Sequence, residues 1–431
     1  MLSFFDLIAV LLVLSALFGW INHRYVHLPN SVGLLVMGLV ASLAVAGVGV
    51  VFPGSSMVVE LTAALRQIDF SGVVMNGMLA FLLFAGALGL DVSALRDRAG
   101  PVALLAVLGT LLSTVIVGVA FWLAAGALGH PLSLPWALVF GALISPTDPI
   151  AVLAMLKGVK LPDEISIELQ GESLFNDGVG VVLFLLLLGY AAGAGDHIPT
   201  VGSVAVTVLQ EIGGGILLGV VAGYIAYRGL RAIDDFAVET LITLALVTGL
   251  YALAQRLGAS GPLAVVAAGL LVGHRDAQHA MTDTTRRYVT TLWTLIDEIL
   301  NSVLFLLIGL EVLVLTFAPG TLVVALAAVP IALVARLFAV AAPLLIVPWS
   351  KRLSVRNVPF LTWAGLRGGI SVALVLALPD DPAKPVILAA TYAVVLFTLI
   401  VQGSTIGLVA RHTLRSPLAP EPAGSKGDAD G

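Results

Sequence analysis

The chain has 431 residues, of which 59% are apolar or aromatic and only 11% are charged, against roughly a quarter charged in an ordinary soluble domain. With a mean hydropathy of +1.08 and a net charge of −5, it has too few polar residues to cover the surface of a soluble globule. That excludes a soluble enzyme, a nucleic-acid binder and a disordered scaffold, and leaves a polytopic membrane protein. Cysteine is absent, which removes disulfides, thiolate chemistry, Cys-ligated zinc and iron–sulfur clusters. No cofactor is expected.

A spanning helix needs about 20 mostly apolar residues. By that measure the sequence predicts spans near 3–22, 31–53, 70–90, 102–128, 135–156, 169–192 and 202–226. The remaining spans fall near 236–256, 259–274, 292–316, 319–348, 358–379 and 386–410, thirteen in all, with the ninth the shortest. The run from Leu2 to Ile21 has no basic leader and no small-residue cleavage site, so it reads as the first span and not as a signal peptide. The connections are short. Residues 1–410 therefore form one transmembrane unit, and 411–431 a short cytoplasmic tail rich in Pro, Gly and Asp that is expected to be disordered. Placing the N-terminus outside puts sixteen Lys and Arg on inside segments and three (Arg66, Arg256 and Lys384) outside, with Arg336 and Arg367 within spans. This asymmetry predicts an external N-terminus and a cytoplasmic C-terminus.

Ionisable groups at membrane depth each need a partner, a wet cavity or a function. In chain order they are Asp148, Glu172, Asp177, Asp297, Glu298, Arg336 and Arg367. Asp6, Glu211, Glu239 and Glu311 fall nearer span ends, where snorkelling explains them. The fifth span contains Ser145-Pro146-Thr147-Asp148-Pro149. Two prolines three apart remove backbone donors and clash with the preceding turn, which predicts a broken helix. Backbone groups freed at that depth are tolerated where they line a cavity, and such interruptions mark ion sites in transporters.

The sixth span opens with Gly171-Glu172-Ser173-Leu174-Phe175-Asn176-Asp177-Gly178. Ser173 and Asp177 are four apart and share a helical face, and Glu172 and Asn176 do so on the adjacent strip. A hydroxyl beside a carboxylate offers hard oxygen ligands to a small alkali cation. In the seventh span Gly215, Gly219 and Gly223 form a small-residue stripe, best read as tight internal packing. Arg336 in the eleventh span has two open roles: a partner for Asp297 or Glu298, or a lining group of the ion path. The twelfth span carries Gly365-Leu366-Arg367-Gly368-Gly369-Ile370-Ser371, where glycines loosen the helix around a buried arginine. Glu172 is its preferred partner. The seven histidines all fall in loops or at span ends.

These segments resemble the signature segments of the NhaP/NHE branch of monovalent cation:proton antiporters. The resemblance rests on Ser145–Pro149, Glu172–Gly178 and Gly365–Gly368, with Asn301–Glu311 (Phe305 and Gly309-Leu310 within it) similar to a fourth. It covers essentially the whole chain. It implies an all-α fold of two inverted six-helix repeats, with two crossing interrupted helices at spans five and twelve. It also implies interleaved core and dimerisation subdomains, and a homodimer in a cell membrane. Carried over residue by residue, Asp177 binds cation and proton in turn. Thr147, Ser173 and the backbone near Asp148 complete the cation site, Asn176 lies close by, and Glu172 with Arg367 is a buried structural pair. Electrogenic relatives have two adjacent aspartates where this chain has Asn176-Asp177, which argues for one-for-one, electroneutral exchange of Na+ or Li+ for H+. K+/H+ exchange is the alternative within the family, and a sodium-coupled symporter of organic solutes the alternative outside it. Gly193-Ala194-Gly195-Asp196 matches an intramembrane aspartyl protease pattern, but Asp196 falls in a loop and the chain has no Tyr-Asp pair.

Overall fold

In a bilayer a backbone without water must pair its own amides and carbonyls, so apolar runs of this length fold as helices. A computed structural model of the chain describes residues 4–52, 62–63, 70–156, 161–193, 201–274, 283–313, 320–346 and 357–414. Among them the secondary structure is helical throughout, with no strand. Among the described residues ten helices are long and apolar enough to cross a membrane.

The chain opens with α1 (Phe4–Ile21) and α2 (Asn30–Val51). Then follow α3 (Phe70–Leu88), the short α4 (Val92–Asp97) and α5 (Ala99–Ala127). Next come α6 (Leu134–Ile144) and α7 (Pro149–Met155), the two halves of the fifth predicted span, separated as its prolines require. The sixth span is α8 (Asp163–Ala191), continuous through its polar segment. The chain goes on through α9 (Val201–Leu230), α10 (Phe236–Arg256) and α11 (Gly261–Gly273). At 13 residues, α11 is only about 20 Å long. After it stand α12 (Asp283–Glu311) and α13 (Thr321–Ile346). The twelfth span is again split, into α14 (Val358–Trp363) and α15 (Gly369–Leu376), and α16 (Lys384–Thr413) closes the described chain. The predicted tail lies outside the described residues from 415 onward.

Two sets of helices pack separately and meet along a seam. In one set α5 lies on α6 and α13, α6 on α8, and α13 and α15 on α16. In the other α9 lies on α10 and α11, α11 on α3, and α12 on α2 and α3. Across the seam α8 touches α9, α11 and α3, and α15 touches α3 and α12. The glycine stripe of α9 packs inside the molecule, against α11. A Cβ at Gly219 would stand 2.2 Å from the Ala264 carbonyl oxygen, and one at Gly215 would stand 2.6 Å from that of Ser260. Only glycine lets the two backbones approach so closely.

Candidate functional site

The site grows out of the two breaks. A helical carbonyl accepts from the amide four residues on, so Pro149, which has no N–H, leaves the Ser145 carbonyl without its helical donor. The Arg367 guanidinium fills that role: Nη1 donates to the Ser145 carbonyl, and to the Pro146 carbonyl at 2.9 Å. The second break is served in the same way. Leu361, near the end of α14, would accept from Gly365, but the Gly365 amide turns instead to Thr362 O. Arg336 donates to the Leu361 carbonyl from Nε at 3.4 Å and Nη2 at 3.3 Å. Each half-helix thus ends on an arginine, the charge that suits a helix C-terminus. The two unwound segments also bond to each other, the Asp148 amide donating to Leu366 O at 2.8 Å. A Cβ at Gly368 would come within 2.3 Å of Asp148 Oδ2, so this crossing needs a glycine. Asp148 Oδ1 accepts from the Ala151 amide at 3.1 Å and caps α7.

Against this crossing α8 lays its polar segment. The Ser173 hydroxyl donates to the Thr147 carbonyl. Asn176 Nδ2 donates to Thr147 Oγ1 at 3.0 Å, and the Thr147 amide donates to Asn176 Oδ1 at 3.4 Å. Thr147, Ser173 and Asn176 are all buried, and Asp177, one helical step on, is 8% exposed. Asp177, Asp148 and Thr147 line one cavity of about 100 Å³, together with Asn301 and Gln170. Gln170 and Asn301 also line a wider vestibule of about 810 Å³, which holds Asp297 and Glu298, with His23 and His27 on its wall. Asp148 lies within electrostatic reach of both Asp177 and Asp297. The site is therefore a small pocket walled largely by leucines, in which Asp177, Asp148, Thr147, Gln170, Asn301 and Ser371 are the polar lining, at the end of an acid-lined entry. Their oxygens suit a hard monovalent cation, and a carboxylate among them can take a proton in its place.

The structure brings together Thr147, Asp148, Ser173, Asn176 and Asp177 from two separate spans. It corrects the expected ion pair. Glu172 pairs with Arg336 through two contacts, Nη1 to Oε1 and Nη2 to Oε2 at 3.0 Å. Arg367 is committed to the carbonyls of Ser145, freed by Pro149, and Pro146, and Arg336 reaches Glu172 across Gly365, where a Cβ would stand 2.7 Å from its Nε. Of the two roles the sequence leaves open for Arg336, pairing with Asp297 or Glu298 is not the one taken, since its guanidinium donates to Glu172 and Leu361 O while those acids line the vestibule.

Three features escaped the sequence reading. Gln170 and Asn301 join the two cavities. Arg98, placed there in a loop, is 9% exposed and pairs with Glu164 and, at 2.9 Å, with the buried Glu168. The recurrence of acids at Glu164, Glu168 and Glu172, every fourth residue on one face of α8, was a legible signal for it. Glu239, assigned to the interface, is fully buried, and its carboxylate has no hydrogen-bond partner among the described residues. α10 packs on α12, where Trp293 Nε1 donates to Thr243 Oγ1 at 3.0 Å, one turn on from Glu239.

A family model described as "Sodium/hydrogen exchanger, transmembrane" matches residues 12–412. The Na(+)/H(+) antiporter NhaP of Pseudomonas aeruginosa is 44% identical over 413 residues, covering 94% of this chain and 96% of that protein. The Na(+)/H(+) antiporter NhaH of Halobacillus dabanensis is 34% identical, covering 88% and 90%. The structure of the sodium proton antiporter MjNhaP1 from Methanocaldococcus jannaschii superposes with a TM-score of 0.72 at 22% identity, over 95% of this chain and 98% of that one.

Proposed function

The chain belongs to the sodium/hydrogen exchanger family, and from that premise we propose that it exchanges Na+ for H+ across a cell membrane by alternating access at Asp177. One observation carries the proposal: Asp177 and Asp148 converge on a small pocket at the crossing of two interrupted helices, below an acid-lined vestibule. Asp177 accepts either a proton or a cation. Thr147, Ser173 and the carbonyls of the unwound segment supply the remaining oxygens, and Asn176 fixes Thr147 in place. Binding either ion neutralises the carboxylate, so the loaded site crosses the apolar barrier at lower cost than the bare anion. With Asn176 where electrogenic relatives carry an adjacent aspartate, and with Asp148 engaged as the cap of α7, Asp177 is the one carboxylate that titrates, so one proton leaves for each cation that enters and the cycle is electroneutral.

The same reading gives the chain thirteen crossings: the ten long helices, the short α11, and the split pairs α6–α7 and α14–α15. Spans one to six and eight to thirteen form two inverted repeats. The N-terminus is outside, so the vestibule, with His23 and His27 at its wall, opens to the cytoplasm. The α5–α6–α8–α13–α15–α16 set is the moving core, the other set is the scaffold, and the protein works as a homodimer through the scaffold.

Purified protein in liposomes with a trapped pH-sensitive dye tests this. External NaCl should make the lumen alkaline at the same rate with the membrane potential clamped at zero or strongly negative, and Asp177→Asn should abolish the response while eluting and unfolding like the wild type. Undiminished exchange by Asp177→Asn sinks the site assignment. A rate that follows the potential sinks the electroneutral cycle, and a response to KCl alone turns the reading to K+/H+ exchange.

A further inference from the structure

A third cavity, of about 420 Å³, lies on the seam away from the ion path. On one wall Ala99, Val102, Ala103, Ala106 and Val107 contribute to it, spaced as one face of α5. From Ala99 to Val107 that face runs about 12 Å along the helix. The other walls repeat the spacing, with Phe175 and Val179 on α8 and Ile212 and Ile216 on α9. Three parallel stripes make a slot elongated along the helix axes. It opens to the exterior of the protein where Ala103, Val107 and Ile216 are exposed. Its lining is apolar throughout except at one end, where Arg96 stands on α4, just before the start of α5. Arg96 is exposed and makes no ion pair among the described residues, whereas its neighbour Arg98 is held by Glu164 and Glu168.

We propose that this slot is a binding site for one anionic phospholipid, with an acyl chain along α5, α8 and α9 and the headgroup phosphate on Arg96. The shape is that of a chain, not of a compact solute. The sole charged group sits where a span meets the interface, the depth of a lipid phosphate, and its sign selects an anion. The slot is bounded by α5 and α8 on one side of the seam and by α9 and Leu263 of α11 on the other. A lipid seated there touches both helix sets, and Phe175 on its wall is two residues from Asp177.

The test uses the full chain, delipidated and re-equilibrated with equal phosphatidylglycerol and phosphatidylethanolamine, with retained lipids counted by native mass spectrometry. The wild type should hold one phosphatidylglycerol per chain in preference to the zwitterionic lipid. Arg96→Gln should lower that retention about fivefold, the effect of one surface cation on an anionic lipid, and Arg96→Lys should restore most of it. Ala103→Trp, which fills the slot from its exposed side, should expel the lipid whatever its headgroup. Equal retention in the wild type, Arg96→Gln and Ala103→Trp overturns the site and leaves only annular lipid. Loss in Ala103→Trp without headgroup preference, and without effect of Arg96→Gln, overturns the anionic assignment. These readouts are independent of ion exchange.

Discussion

Exchanging Arg336 for Gln tests the pairing that distinguishes this site from its sequence reading. Glu172 is 2% exposed and Arg336 5%, and two hydrogen bonds join them. Removing one partner of a pair buried this deeply leaves an uncompensated charge, which costs about 3–5 kcal/mol. Arg336→Gln also withdraws the donors to Leu361 O, a further loss of about 1 kcal/mol. Glu172→Gln keeps those donors, so its cost should lie near the lower end, about 3 kcal/mol. The double variant buries no lone charge and should be more stable than the sum of the two losses predicts, with a coupling of about 2–3 kcal/mol. The parallel cycle with Glu172 and Arg367, which share no hydrogen bond, should give less than about 1 kcal/mol. Urea unfolding of the detergent-solubilised protein, followed by tryptophan fluorescence, measures both cycles. A larger coupling for Glu172 with Arg367 than with Arg336 would refute the pairing and the division of labour between the arginines.

If cation and proton compete for Asp177, acidification should raise the apparent KM for Na+ and leave the maximal rate unchanged. Once the proton dominates, mass action makes that rise about tenfold for each pH unit, and a fall in maximal rate at constant KM would point to a separate regulatory site. Gly219→Ala puts a methyl group 2.2 Å from a backbone carbonyl that cannot step aside, so it should destabilise the protein by about 1–3 kcal/mol. Gly249→Ala, at a position with open space around it, is the control for the thermal-unfolding comparison and should differ little from wild type.

Much of the fold was written in the order of residues. Length and hydropathy place the long helices because a bilayer allows the backbone no partner but itself. Pro146 and Pro149 break the fifth span for a reason internal to the chain, since proline carries no amide hydrogen. The grouping of Ser173 with Asp177 follows from four-residue spacing on a helix, and Gly365 through Gly369 announce a second break. What the sequence could not decide was which charge meets which. Two arginines and several acids lie within spans, and depth alone does not pair them. The pairing was settled by the two breaks. The carbonyl orphaned by Pro149 draws Arg367, which leaves Glu172 to Arg336, and the absence of a side chain at Gly365 gives Arg336 room to arrive. Likewise Asn301 and Gln170, ordinary polar residues on long helices, became part of the site only because the seam between the two helix sets opens beside them.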